Sequence, residues 1–255
     1  MKTYELSRQK NIRDLGGLEG FEGKHIKYGH FYRGGALHRV NDEDIEVLNG
    51  FHLTDIVDFR GEEEFIYAPD VRLEGVTYHN FSAIEERIQK EDRDDEDGNL
   101  LWFIGKSTSG FDHMVQQYRN LINDKKSQEA YRNLFKLLQQ DNKSVYYHCS
   151  QGKDRAGLAS FFIETALGVD FDTMRQDYLL SNIAMEGKVE ALLTGIKGKR
   201  FYNEQYHQSL LDVFAAKMEY LLAAIEEMNH YGGPLEFIKN VLEVDIDKFR
   251  GMYLE

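Results

Sequence analysis

The chain of 255 residues has a formal net charge of −13 and a single cysteine, Cys149. The charge makes nucleic acids and anionic membranes poor partners, and one cysteine excludes both an internal disulfide and a zinc site built from cysteines. No segment is apolar enough to predict a membrane span or a signal peptide. We therefore expect a cytoplasmic protein without membrane insertion, while export by a route that lacks a signal peptide stays open.

Four short apolar runs predict buried strands, since each is rich in β-branched or aromatic residues and bounded by glycine or polar residues. They are residues 25–35, 53–61, 75–82 and 144–150. Helical patterns lie between and after these runs. Because no linker composition and no repeat divides the chain, we expect a single α/β domain over residues 1–255, with a central, mostly parallel sheet flanked by helices.

Two of the predicted helices lie on either side of the last strand. Ser127 is the expected N-cap of residues 127–141, in which helical spacing places four apolar side chains on one face: Tyr131, Leu134, Phe135 and Leu138. Residues 157–168 are apolar nearly all round, which predicts a buried helix that ends at Gly168. Residues 172–182 and the last 45 residues predict further amphipathic helices.

Two stretches, residues 85–111 and 183–210, look inserted. The first contains the acidic run EDRDDEDGN. Aligning Gly98 with the glycine of an EF-hand loop puts Arg93 at the first ligand position, so we expect a solvated loop and no calcium site. The second contains the basic run IKGKR, for which an exposed turn and a contact to an anionic substrate or lipid both stay open.

The single cysteine lies in the stretch VYYHCSQGKDRAGLASFF, residues 145–162. A strand that ends at Cys149 and a helix that begins near Ala156 or Gly157 leave a tight loop between them. Inward backbone amides in such a loop, together with the positive end of the helix dipole, bind phosphate or sulfate well. Gly152 allows backbone torsions that are closed to other residues, and the glycine at 157 lets the start of the helix pack closely.

The side chains of this loop suit nucleophilic attack on phosphorus. The positive field of the loop favours the thiolate form of Cys149, which is the nucleophilic form. Arg155, six positions later, carries a planar fork that can hold two phosphoryl oxygens and the charge of the transition state, so no metal is needed. The alternative is a small buried cysteine beside a surface arginine. The glycines in the loop and the apolar helix after it favour the phosphate site.

The run HCSQGKDRAG, residues 148–157, resembles the phosphate-binding loop of the cysteine-dependent tyrosine phosphatase superfamily. More narrowly, it resembles the bacterial tyrosine phosphatases whose loop reads HCxxGKDRTG. The two inserted stretches, 85–111 and 183–210, match the family weakly. The resemblance makes them candidate lids over the site. Further stretches similar to that family follow in the same order along nearly the whole chain: NIRDLGG at 11–17, FYRGGAL at 31–37, IVDFRGEEE at 56–64, EAYRNLFKLL at 129–138, DYLLSN at 177–182 and EYLLAAIEEMNHYGG at 219–233.

This resemblance implies a tyrosine phosphatase-like fold and hydrolysis of phosphomonoesters through a phosphocysteine on Cys149, without a cofactor. Members act on phosphotyrosine and, in several cases, on phosphoinositides, while phosphoserine and phosphothreonine stay open. The implied partners are a phosphorylated protein or a phosphoinositide, with inorganic phosphate or another oxyanion in the loop. The resemblance also implies a set of substrate-binding residues in the loop and at the start of the helix: Ser150, Gln151, Gly152, Lys153, Ala156 and Gly157.

Two positions depart from the family pattern. Ala156 stands where the superfamily usually has serine or threonine, whose hydroxyl stabilises the leaving thiolate when the phosphoenzyme breaks down. We therefore expect slower hydrolysis of the intermediate, with Ser150 as a geometric substitute left open. The second departure is RGG at 33–35, where RSG or RSA is more usual, and the sequence offers no account of its consequence.

The reaction needs a proton donor for the leaving oxygen. The Trp-Pro-Asp loop of larger tyrosine phosphatases is absent, since Phe and Ile follow the only tryptophan, Trp102. Asp154 is the first candidate because it lies inside the loop, as in the lipid-directed myotubularins. Its alternative role is to order the loop by accepting backbone hydrogen bonds. Asp58, at the carboxyl end of a predicted strand, is the second candidate, and its alternative is an ion pair with Arg60.

Other residues and the function itself keep alternatives. Lys153 either reaches a second phosphate or balances a loop carboxylate, and His148 either orients the loop or is a satisfied core histidine. Arg33 and Arg60 either line the pocket or pair with the glutamates at 62–64. Two rival functions stay open: a phosphate-recognition module with negligible turnover, and another thiolate enzyme such as a sulfurtransferase or an arsenate reductase.

Overall fold

The computed structural model describes residues 1–7, 9, 11–84, 109–199 and 202–255. Six strands of these residues form one sheet. Their bounds are β1 Lys2–Tyr4, β2 Ile12–Asp14, β3 Phe31–Gly35, β4 Asp55–Asp58, β5 Thr77–Asn80 and β6 Val145–Cys149. The spatial order is β1-β2-β3-β6-β4-β5. The strands β3, β6, β4 and β5 are parallel, while β1, β2 and β3 pair antiparallel.

Helices of the described residues flank this sheet, which confirms the predicted α/β class and the mostly parallel sheet. The four predicted strands are the four parallel ones. The strands β1 and β2 were not predicted, because three residues are too few to show an alternating pattern. The helix bounds are α1 Asp42–Asn49, α2 Glu62–Tyr67, α3 Gly110–Asn123, α4 Lys125–Leu138, α5 Arg155–Leu167, α6 Phe171–Ile196, α7 Glu204–Phe214, α8 Met218–Asn229, α9 Pro234–Asn240 and α10 Ile246–Tyr253.

The helix α5 is buried along most of its length, as its apolar sequence predicts. It begins at Arg155, one to two residues before the expected start. Gly168 ends it in the left-handed region, with φ at +78°, and a Cβ there would lie 3.0 Å from the Phe21 amide nitrogen. Glycine is thus required at this position for both its torsion and its contact, which confirms the predicted cap.

The predicted N-cap of α4 is wrong. The helix begins at Lys125 after Asp124, so that Ser127 lies inside its first turn. The Ser127 hydroxyl donates a hydrogen bond to the Ala83 carbonyl at 2.6 Å, a tertiary contact that the local sequence does not reveal. The predicted apolar face is correct, because four side chains have no exposed surface: Tyr131, Leu134, Phe135 and Leu138.

The two stretches that look inserted have different outcomes. Residues 85–108, with the whole acidic run, lie outside the described residues, and so do residues 200 and 201. Residues 183–196 continue α6, and residues 204–210 lie in α7. These two helices share a small apolar cluster of their own: Met185, Ile196, Tyr206, Leu210 and Phe214. Over the described ranges, no helix is both long and apolar enough to cross a membrane.

Candidate active site

The cysteine lies at the carboxyl end of the central strand β6. Gly35 of β3 is paired with Cys149, and Asp58 of β4 is paired with the preceding His148. The Cys149 side chain is only 2% exposed. Ligands of α/β sheets gather at the carboxyl ends of parallel strands, so the position of this cysteine is that of a site residue.

The loop after Cys149 is held from outside through its carbonyl groups. In a planar trans peptide, the N–H group points away from the preceding carbonyl, so the amides of residues 151–154 point to the inside of the turn. None of them donates to an acceptor in the described part of the chain. Four consecutive carbonyls accept hydrogen bonds: Ser150 from the Ala36 amide at 3.3 Å, Gln151 from Asn11 Nδ2 at 3.0 Å, Gly152 from Arg33 Nε at 3.0 Å and Lys153 from Arg33 Nη2 at 3.0 Å.

Asp177 of α6 anchors the arginine that holds this loop. Its Oδ2 accepts from Arg33 Nη1 at 2.6 Å, and its carboxylate also binds the Arg13 guanidinium. All three side chains are at most 2% exposed. Burial raises the pKa of Asp177, but the charges of Arg13 and Arg33 together lower it by more, so the pKa lies below its usual value. The carboxylate therefore stays charged beneath the loop.

Of the two roles left open for Arg33 and Arg60, pairing with the glutamates at 62–64 is wrong. Arg33 pairs with Asp177, and Arg60 pairs with Asp58 at 2.8 Å and with Asp70 at 3.0 Å. Neither pairs with the glutamates at 62–64. Both guanidinium groups are at most 2% exposed, so each needs a carboxylate partner. Asp58, two residues from Arg60, is the partner that the sequence offered, whereas Asp177 is 144 residues from Arg33.

Sequence reasoning missed the residues that brace the loop. Asn11 donates to the loop, and Arg13 Nη1 donates to Asn11 Oδ1 at 2.6 Å, which orients that amide. Ser181 Oγ accepts from Arg33 Nη2 at 3.2 Å. The available signal was the stretches NIRDLGG and DYLLSN, which place charged residues among apolar ones. A pairing across 164 residues, as between Arg13 and Asp177, cannot be read from spacing.

Glycines let the loop pack against β3. Gly152 has φ at +69°, and a Cβ there would lie 2.3 Å from the Gly34 carbonyl oxygen. A Cβ on Gly157 would lie 2.8 Å from Arg33 Nη2. The structure also explains the unusual RGG: a Cβ on Gly34 would lie 2.0 Å from Tyr146 Oη, which donates to the Gly35 carbonyl at 2.7 Å. The absent side chain leaves the space that the tyrosine hydroxyl occupies.

The Arg155 guanidinium is held by Glu64 of α2. Nη1 donates to Glu64 Oε2 at 2.7 Å, and Nη2 donates to Oε1 at 3.2 Å and to Ser150 Oγ at 3.0 Å. Burial raises the pKa of Glu64, but Arg155 lowers it more, to about 2. Burial lowers the pKa of Arg155, but Glu64 and then Cys149 raise it. The two groups stay charged, and Glu64 orients the arginine. The sequence shows three adjacent glutamates, at 62–64, but not which of them faces the loop.

Asp154 lies at the start of α5 with its side chain 22% exposed. Its Oδ1 accepts a hydrogen bond from the Tyr118 hydroxyl at 2.9 Å and lies 3.4 Å from Lys153 Nζ. The carboxylate does not cap the helix through a backbone amide, so the alternative of ordering the loop by accepting backbone hydrogen bonds has no support at that helix. Asp154 is therefore placed beside the loop with an exposed edge.

Asp58 lies in the interior instead, in the ion pair that was its alternative. Its oxygens accept from Arg60 Nε at 3.0 Å and from Nη2 at 2.8 Å. Asp58, Asp70 and His148 have ligand atoms close enough for a metal ion, but the Arg60 guanidinium already contacts both carboxylates. The cationic position between the two acids is thus filled by a side chain of the chain itself.

His148 belongs to this buried cluster. Its Nε2 lies 3.0 Å from Asp70 Oδ2, and its side chain has no exposed surface. Burial lowers the pKa of His148, but Asp70 and then Asp58 raise it, so that the pKa ends above its usual value. The ring thus lies against the Asp70 carboxylate, next to Cys149 in the chain.

The Lys153 ammonium is bound at the end of α7 and lies 3.4 Å from Asp154 Oδ1, the carboxylate that it was expected to balance in one of its two roles. Its ammonium group donates to the carbonyls of Val213 and Ala215, the second at 3.2 Å, where α7 ends, and the side chain is only 2% exposed. This placement does not support contact with a second phosphate. Ala156 has no exposed surface in the first turn of α5, and Gln151 is half-buried.

The chain is similar to known phosphatases along nearly its whole length. The model of the tyrosine phosphatase family matches residues 4–255. The chain is 29% identical over 255 residues to a putative tyrosine-protein phosphatase of Cupriavidus necator, across 96% of this chain and 85% of the relative. It is 23% identical over 283 residues to the triple specificity protein phosphatase PtpB of Mycobacterium tuberculosis, across the full length of both. With the family model matching nearly every residue, including all that build this loop, the chain belongs to the tyrosine phosphatase family.

Proposed function

We propose that this chain is a protein tyrosine phosphatase that hydrolyses phosphomonoesters by double displacement on Cys149. The observation that carries the proposal is the outward bonding of four consecutive loop carbonyls, which turns the amides of residues 151–154 inward between Cys149 and Arg155. Such amides, with an arginine fork, stabilise the charge of a phosphoryl group in transfer and need no metal or cofactor.

The reaction has two steps. Cys149 Sγ attacks phosphorus, the S–P bond forms, the bond from phosphorus to the leaving oxygen breaks, and Asp154 gives that oxygen its proton. Water then attacks the phosphocysteine and gives a proton to the Asp154 carboxylate, the S–P bond breaks, Cys149 leaves as the thiolate, and inorganic phosphate leaves. The proposed substrate-binding residues are Ser150, Gln151, Gly152, Lys153, Ala156 and Gly157. They contribute through the backbone, so their side chains do not need to touch the phosphate.

The second step is the one that Ala156 is expected to slow. A buried methyl group there cannot donate a hydrogen bond to the leaving thiolate. Ser150 has the hydroxyl nearest in sequence, and this hydroxyl is engaged by Glu64 and by Arg155. We therefore expect breakdown of the phosphocysteine to limit kcat, whereas kcat/KM reports the first step.

Phosphotyrosine is the first substrate to test. The mycobacterial relative is named a triple specificity protein phosphatase, and this supports parallel assays on phosphoserine and phosphothreonine peptides. Phosphoinositide in vesicles is a further arm. The ammonium of Lys153 is bound to the end of α7, so a second phosphate on such a headgroup would need another cationic partner.

The test of the proposal is hydrolysis of an aryl phosphate by the wild-type chain with excess EDTA. We expect undiminished phosphate release, because the positive charge of the site comes from amides and Arg155. Rapid quenching in acid should leave phosphate bound to the protein, and mass spectrometry should place it on Cys149. Vanadate binding without any turnover would favour the recognition module, and loss of activity on chelation would point to a metal enzyme.

Asp154→Asn and Asp58→Asn test which carboxyl group is the acid. We expect Asp154→Asn to lower kcat/KM on phenyl phosphate by a factor of about 10² to 10⁴, and much less on 2,4-dinitrophenyl phosphate, whose leaving group needs no proton. Asp58→Asn removes the buried carboxylate that pairs with Arg60, so we expect a lower midpoint of thermal unfolding. Any loss of kcat/KM should be the same for both substrates. The reverse pattern would make Asp58 the acid.

A further inference from the structure

A chain of tyrosine hydroxyls leads from the helical layer to Asp154. Tyr118 of α3 donates to Asp154 Oδ1 at 2.9 Å, and its hydroxyl oxygen lies 2.8 Å from that of Tyr178 of α6. Tyr118 has one hydroxyl proton and gives it to Asp154, so Tyr178 must be the donor in the second bond. Burial and then Asp154 raise the pKa of Tyr118 well above its usual value, which keeps that proton on the oxygen.

The position of the Tyr118 hydroxyl is set by packing of its ring, on α3, against rings of α6 and α8. The ring has no exposed surface, stands edge-on to the Tyr178 ring at 89°, and lies 5.9 Å from the ring of Tyr220 of α8. A side chain packed in this way cannot change rotamer without opening the interface between the helices. The hydroxyl is therefore a fixed donor.

This donor distinguishes the two oxygens of Asp154. Oδ1 faces the Tyr118 hydroxyl and the Lys153 ammonium, which lies 3.4 Å away. Oδ2 has no hydrogen-bond partner in the parts of the chain that the structure covers. The carboxyl group is thus held by one oxygen and leaves the other oxygen available.

We infer that Tyr118 is a positioning residue for the acid, which holds Oδ1 of Asp154 so that Oδ2 delivers the proton to the leaving oxygen. The inference rests on the proposed function, in which Asp154 is the acid. When the bond from phosphorus to the leaving oxygen breaks, the proton moves from Oδ2 to that oxygen and Asp154 becomes a carboxylate. A hydrogen bond from Tyr118 is stronger to the carboxylate than to the neutral acid, so it favours the transition state over the ground state.

The test is Tyr118→Phe, which removes the hydroxyl and keeps the ring. We expect kcat/KM to fall about 10-fold to 100-fold on phenyl phosphate and to stay within about twofold on 2,4-dinitrophenyl phosphate. kcat/KM is the measured quantity because it ends at the first irreversible step and is insensitive to slow breakdown of the phosphocysteine. Tyr178→Phe, which leaves the bond to Asp154 in place, should give a smaller loss with the same pattern.

The matched control is Tyr253→Phe on α10. Its hydroxyl is also buried and donates to the Leu138 carbonyl at 2.6 Å, far in sequence from the loop. We expect it to affect both substrates equally. Equal losses on the two substrates for Tyr118→Phe would overturn the inference, because a structural role has no dependence on the leaving group.

The double variant separates this inference from the proposed function. With asparagine at 154, Tyr118→Phe should add no further loss that depends on the leaving group, because the two residues act on one proton. An additive loss would overturn the inference and leave Asp154 as the acid. If Asp154→Asn itself shows no dependence on the leaving group, the acid assignment fails together with the inference, while hydrolysis through Cys149 still stands on its own assay.

Discussion

Replacing Cys149 with serine is expected to lower kcat for aryl phosphate hydrolysis by on the order of 10⁶, the loss that follows removal of the nucleophile in covalent catalysis. A serine hydroxyl stays protonated near neutral pH, whereas cysteine attacks as the thiolate. The inward amides and Arg155 do not depend on the sulfur. We therefore expect the variant to bind tungstate, measured as a rise in the midpoint of thermal unfolding.

The result for Cys149→Ser is interpreted from two measurements, turnover and tungstate binding. Activity within about tenfold of the wild type would exclude Cys149 as the nucleophile. Loss of both activity and tungstate binding would show that the loop had lost its shape, and circular dichroism on the variant checks for this. Cys149→Ala is a useful companion, because it also removes the nucleophile but adds no hydroxyl to the loop.

Replacing Arg155 with lysine is expected to lower kcat/KM on phosphotyrosine by a factor of about 10³ to 10⁵. The guanidinium contacts both oxygens of Glu64 and the Ser150 hydroxyl at once, through Nη1 and Nη2. A single ammonium group keeps the charge but cannot hold this planar arrangement and two phosphoryl oxygens together. Continuous assay of phosphate release gives kcat/KM for both proteins.

Arg119→Lys on α3 is the matched control for this change. Its guanidinium is 37% exposed and pairs with Glu226 at 3.0 Å, where the pair contributes little. We expect kcat/KM within about twofold of the wild type. A loss for Arg155→Lys as small as that of the control would show that charge alone suffices, and the arginine would then have no role as a clamp.

The elements around the loop were predictable because their signals are local. The run at 144–150 is β-branched and aromatic, the stretch after it is apolar all round, and Gly168 follows it, so a strand, a buried helix and its end could be assigned from the residues alone. Ser127 shows the limit of such signals. It has the right residue type and spacing for an N-cap, but its hydroxyl binds a carbonyl from a distant segment.

The candidate acids show the same division. The sequence left Asp154 and Asp58 each with two readings, since a carboxyl group near a strand end is compatible with catalysis and with an ion pair. The structure places Arg60 between Asp58 and Asp70, which engages the Asp58 carboxylate, and places Tyr118 on one oxygen of Asp154. The pair of Asp58 with Arg60 is local and was one of the two expected roles, but the contacts of Asp70 and of Tyr118 have no local signature, because they depend on how separate elements pack.

The chemistry that we propose for the loop was readable from the order of seven residues, 149–155, because a cysteine, a glycine and an arginine lie in one short segment that joins a strand to a helix. What holds and aims that chemistry comes from elsewhere in the chain. Asn11, Arg33 and Asp177 turn the carbonyls outward, and Glu64 holds the arginine. The tertiary structure alone decides these pairings, because burial forces each charged group to find a partner and that partner is distant in sequence.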